Sequence, residues 1–105
     1  MPRFRIHHLI AWEFTEVYAW YSGHSPLAAE NFDQAFFAAL ERVQQTPSAH
    51  ALWRRTLRRI RLKRYPYILI YHTDRSHTSV LALAHDRREP TRLLTTTTQR
   101  LAAFE

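Results

Sequence analysis

The apolar residues of this chain change period twice, and those changes mark off a helical segment between stretches of strand. Between residues 11 and 45 they recur at helical spacing: Phe14, Val17, Tyr18 and Tyr21 make one stripe, and Phe32, Phe36, Ala39 and Val43 make another. After residue 53 they alternate with cations, as strand residues do. Gly23, the only glycine, sits where the first helix should stop and is expected to take the left-handed cap position. Ser25-Pro26 supplies the cap and first position of the second helix, and Pro47 ends it. Two amphipathic helices joined by so short a turn form an α-hairpin.

Ahead of the hairpin, Phe4, Ile6 and His8 alternate with Arg3, Arg5 and His7 in a half-buried strand. Residues 46–53 read as a polar connector. Beyond them, Ile60 and Leu62 face one way while Arg59, Arg61 and Lys63 face the other. The run from Tyr67 to Tyr71 is apolar on both faces and belongs at a sheet centre. Asp74-Arg75-Ser76 turns the chain, and His77 to His85 returns it, completing an antiparallel meander. The fold class is α+β, in the order βααβββ, with the N-terminal strand and helical hairpin packed on a small antiparallel sheet. Phe32, Phe36 and Ile60 are the expected core, and the opposite sheet face is expected to be concave, basic and open. A chain of 105 residues sustains one two-layer core. Residues 1–105 are therefore read as a single domain, with 93–105 a frayed tail or a short helix starting within the threonine run.

Charge is unevenly placed. Residues 1–45 carry three basic and five acidic side chains, whereas residues 46–92 carry eleven basic and three acidic, a balance of +8. Seven of the eleven residues from Arg54 to Arg64 are Arg or Lys. An anionic partner, either nucleic acid or an acidic protein segment, matches such a surface; a solvated basic face is the plainer reading. Other chemistries are excluded by composition. Cysteine is absent, so there are no disulfides and no thiolate sites. One glycine cannot build a phosphate cradle. The histidines lie on separate elements without metal-ligand spacing, and His7 and His8 should point to opposite faces, so no metal and no other cofactor is expected. No run approaches the roughly eighteen apolar residues of a spanning helix, and no signal-peptide core is present, so a soluble cytoplasmic protein is expected.

Arg59, Arg61 and Lys63 at period two should project from one face, roughly 7 Å apart per step. Arg87 and Arg88, at the exit of the last strand, should lie near them. Tyr65, Tyr67 and Tyr71 interleave rings with this charge, as base-stacking residues or, more commonly, as core residues with satisfied hydroxyls. His85, just before Asp86, could move a proton near neutral pH or simply hydrogen-bond at a strand end.

The segments AWEFTEVYAWY (11–21), SPLAAENFDQAFFAAL (25–40), LKRYPYILIYH (62–72) and VLALAHDRREP (80–90) together resemble the RelE/ParE superfamily of type II toxin–antitoxin toxins, also labelled plasmid stabilisation proteins. The resemblance spans about residues 4–92. It implies a growth-inhibiting toxin neutralised by a small acidic cognate antitoxin, with operator DNA bound indirectly through that antitoxin. ParE-like members poison DNA gyrase; RelE-like members are ribosome-dependent mRNA endoribonucleases. On the ribonuclease alternative the resemblance implies Arg59, Arg61, Lys63, His85 and Arg87 as catalytic residues. Antitoxin or nucleic acid would be bound by Arg58, Arg59, Arg61, Lys63, Tyr65, Arg87 and Arg88. RNA-cleaving relatives usually carry a tyrosine beyond the final strand arginine. Here TRLLTTTT follows Pro90, and no aromatic residue occurs until Phe104. That departure favours the ParE-like reading over the ribonuclease; a non-toxic nucleic-acid-binding protein is the third alternative.

Overall fold

The computed structural model describes residues 2–104. Its elements are β1 (Arg3–Ile6), α1 (Ile10–Ser22), α2 (Pro26–Gln45), β2 (Leu52–Arg54), β3 (Leu57–Arg61), β4 (Tyr67–Thr73), β5 (His77–His85) and α3 (Pro90–Ala103). The five strands form one sheet in the order β1-β5-β4-β3-β2. β1 joins parallel to β5, and the remaining pairs are antiparallel. Among the described residues no helix is long and apolar enough to cross a membrane.

Ser25 caps α2 as its sequence requires, its Oγ accepting the Ala28 amide at 2.9 Å. The stripe of α2 then delivers Phe32, Phe36, Ala39 and Val43 to one face of the sheet. There they meet Ile60, Leu62, Leu69, Tyr71, Val80 and Leu83, with Phe14, Val17 and Tyr21 of α1 packed alongside. Gly23 departs from expectation: its φ of −64° is right-handed, so the turn is closed by ordinary helical geometry with its amide bonded to Ala19. His7 and His8 also differ. β1 ends at Ile6, which frees the two residues from strand alternation, and their rings stack at 4.4 Å.

The polar connector contains a strand. Leu52–Arg54 pairs with β3 and gives the sheet an additional edge. A larger correction concerns the second sheet face, which is not wholly open. β4 and β5 are buried on both faces, and strands of that kind need a cover on each side. α3 provides the second cover. Leu93, with Leu94 and Leu101, packs on Leu57, Ile68, Ile70, Leu81 and Ala84. The helix begins at Pro90 and not within the threonines, because Glu89 caps it by accepting the amides of Thr91 and Arg92, each at 2.9 Å. β-Branched threonines are tolerated inside it. Thr95 and Thr97 donate their hydroxyls to the carbonyls of Thr91 and Leu93, four residues back.

One polar clamp fastens α3 in place. Arg100 Nη1 donates to Glu13 Oε1 at 3.0 Å and to the Leu81 carbonyl at 2.8 Å, while Glu13 also accepts the Leu83 amide at 3.1 Å. Both side chains are mostly buried, 13% and 17% exposed. Removing one partner strands the other charge in a poorly hydrated site, so Arg100→Ala is expected to cost about 2–4 kcal/mol. Urea unfolding of the variant beside the parent checks this.

Acid should destabilise the fold in two stages. Burial, followed by the charges of His8 and Arg100, holds His7 below the ordinary histidine value of 6.5. Its neutral ring accepts the Leu9 amide on Nδ1 at 3.2 Å, a bond that protonation removes. Backbone amides hold Glu89 below 4.5 and Asp74 below 3.8. For all three groups the unfolded chain binds protons that the folded chain resists, so stability falls as pH falls. Melting temperature should drop first below about pH 6.5, through His7, and again as the two carboxylates protonate. His7→Asn should remove the first stage and keep the second.

Candidate partner-binding groove

β3 sets the site by its register. Arg59 lies opposite Ile70 and Arg61 opposite Ile68, so both cations project on the α3 side of the sheet. Arg58 and Ile60 project toward the hairpin. α3 covers the β5 side of this face and leaves the β2–β3 end uncovered. The result is a groove of ≈ 370 Å³ with an apolar floor of Trp53, Ile68 and Leu93 and a polar rim of Arg54, Arg59, Asp86 and Arg88.

The β5 exit is shaped by its own backbone. The Asp86 amide bonds the Pro66 carbonyl at 2.9 Å, and the Arg88 amide bonds the His85 carbonyl at 3.0 Å. His85 Nδ1 accepts the Arg87 amide at 3.1 Å, so the neutral ring carries its proton on Nε2. These bonds swing Arg88 back toward β3. Arg61 closes the junction: its Nη2 lies 3.4 Å from Asp86 Oδ2, and its Nε donates to the Tyr65 carbonyl at 3.1 Å. Asp86 therefore stands between the two cationic clusters and lowers their mutual repulsion.

Arg59 and Arg88 thus share one groove, with Arg61 at its edge. Lys63 does not join them. The strand ends at Arg61, Leu62 turns into the core, and Arg64 adopts a left-handed φ of 71°. Lys63 consequently faces a different cavity, beside Asn31, Gln34 and Arg42 of α2. Arg58 is a fastener on the hairpin side, donating to the His50 carbonyl at 2.6 Å. It stands near Tyr71, whose hydroxyl donates to Pro47. Burial pushes that tyrosine up to about 12, against the opposing effect of the Arg58 charge. Tyr65 packs edge-on against Tyr21 and Phe32, at 5.3 and 5.6 Å, and is part of the hairpin core.

His85 faces yet another cavity, of ≈ 380 Å³, with Glu16, Trp20, Tyr67 and Arg88. Arg88 lines both cavities; Arg87 is exposed on the turn and lines neither. Trp53 had no assigned place in the sequence reading because it ends the connector, whereas Arg54 opens the basic run. The adjacent apolar pair Leu52-Trp53 in an otherwise polar stretch was the available signal. Arg54 lies over the Trp53 ring at 5.5 Å and keeps it at the groove wall.

A mixed sheet with an N-terminal strand and a helical hairpin on one face has the topology of the RelE/ParE superfamily of toxins. A family model described as "ParE toxin of type II toxin-antitoxin system, parDE" matches residues 5–90, and the chain belongs to that family. Among solved structures it is similar to a chain of the "Chromosomal ParDE TA system from P. aeruginosa". The TM-score is 0.71 and the identity 17%, over 81% of this chain and 96% of that one. At that identity the likeness is one of fold. No curated protein matches the chain.

Proposed function

We propose that this chain is a ParE-like toxin that acts on DNA gyrase and is neutralised by an acidic cognate antitoxin seated in the Arg59–Arg88 groove. One observation carries the choice of gyrase over RNA. The five residues that the resemblance implies for cleavage, Arg59, Arg61, Lys63, His85 and Arg87, do not line a common cavity. Phosphoryl transfer needs a base and cation held together about the reacting phosphate. Here His85, the one histidine among them, opens on the Trp20 side, whereas Arg59 opens on the Trp53 side. The groove suits a protein segment instead, since an apolar floor takes leucine-like anchors while the arginine rim takes carboxylates.

The ribonuclease alternative draws support from the pairing of Arg59 with Arg88, which a phosphate could bridge. Two assays on purified protein separate the readings. Gyrase supercoiling of relaxed plasmid should be blocked, and primer extension on translated messages should show intact codons. Normal supercoiling together with cuts inside codons would establish the ribonuclease and overturn the proposal.

A further inference from the structure

The groove accounts for the positive half of the molecule and leaves the hairpin's outer side unexplained. There Ile6, Ile10, Phe14, Phe36, Phe37 and Leu40 surround a cavity of ≈ 290 Å³ whose lining holds no charged side chain. Phe14 and Phe36 back onto the core, but Phe37 is 56% exposed and Ile6 42% exposed. Large apolar side chains clustered on a surface mark an interaction site.

Charge indicates what belongs there. On α2, Phe37 follows Asp33 by one turn and precedes Glu41 by one turn, and Glu30 extends the same stripe. Among the described residues none of these three carboxylates makes a salt bridge. Arg42 is the only Lys or Arg between residues 10 and 45, and it donates to the Arg61 carbonyl at 3.3 Å. An acidic segment or a nucleic acid suited to the groove is repelled from this face. A symmetric pair of copies would set acidic hairpin against acidic hairpin, which disfavours self-association.

We propose that the outer face of the α1–α2 hairpin docks a cationic amphipathic helix of another protein, independently of any anionic partner in the basic groove. Its apolar side chains would fill the Phe37–Leu40 cavity, and its Lys or Arg side chains would meet Asp33 and Glu41. Those two carboxylates stand roughly 12 Å apart along the helix axis, which matches two cations eight residues apart on a docked helix. The inference does not depend on the gyrase reading: peptide binding and supercoiling are measured separately, so either can fail alone.

The test titrates the isotope-labelled full chain with a synthetic helical peptide bearing leucines at helical spacing and lysines elsewhere. Amide shifts should concentrate in residues 6–18 and 33–41. Affinity should exceed by about tenfold or more that of a glutamate-for-lysine version, and of a scrambled peptide of equal charge. The double variant Asp33→Lys/Glu41→Lys, with an unchanged melting temperature, should weaken binding by about tenfold or more. Shifts confined to the sheet, equal binding of the scrambled peptide, or insensitivity to the charge reversal would overturn the proposal. So would a concentration-dependent dimer in sedimentation that Phe37→Ser abolishes.

Discussion

Reversing Arg59 and Arg88 together (Arg59→Glu/Arg88→Glu) is expected to weaken binding of the proposed antitoxin by about 10²–10³-fold while leaving the fold intact. Both side chains are exposed at the groove rim and carry no core packing. Each reversal replaces an attraction to a carboxylate with a repulsion of similar size. Asp86 sharpens the effect, because the two new glutamates would crowd a carboxylate already in the groove. Isothermal titration of the purified pair, with thermal melting as the control for folding, reads the loss. Reversing Lys63, which faces the α2 cavity, should change affinity far less and serves as the matched comparison. Equal losses at Lys63 and at the Arg59–Arg88 pair would mean that long-range charge, not the groove, governs binding.

Phe32→Ala is expected to cost about 3–5 kcal/mol. The ring is fully buried and sits among Phe14, Tyr21, Phe36, Tyr65 and Tyr67, with centroid separations between 5.5 and 6.5 Å. It is therefore the point where α1, α2 and the β3–β4 turn meet. Truncation leaves a hole that five neighbouring rings cannot close without leaving their rotamers. Chemical denaturation followed by tryptophan fluorescence measures the cost. A loss below about 1 kcal/mol would show that the hairpin does not depend on this cluster. Loss of activity in this variant would follow from unfolding and would carry no information about the groove.

Much of the architecture was legible in the residues because periodicity reports burial. The α2 stripe, the Ser25 cap and the alternation through Ile60 each depend on contacts within a few positions, and all stand in the structure. The features that escaped depend on distant partners. Nothing near Pro90 states that α3 must fold back; that follows from β4 and β5 having two buried faces and only one hairpin to cover them. Nor does the spacing of Arg59, Arg61 and Lys63 reveal that the strand stops at Arg61. A left-handed Arg64 and a core-facing Leu62 decide it. The Glu13–Arg100 clamp joins residues 87 apart in sequence, beyond any local pattern. The groove was thus half legible: its arginines could be named, while its tryptophan wall and its α3 border required the packed sheet.

Hydrogen exchange on the toxin with and without the antitoxin that neutralises it tests the location of the site most directly. Protection is predicted at residues 52–61 and 86–93, the backbone that frames the groove of Arg59 and Arg88, with the outer face of α1 and α2 exchanging as in the free chain. Protection confined to the hairpin, with β2, β3 and the β5 exit unchanged, would contradict the account.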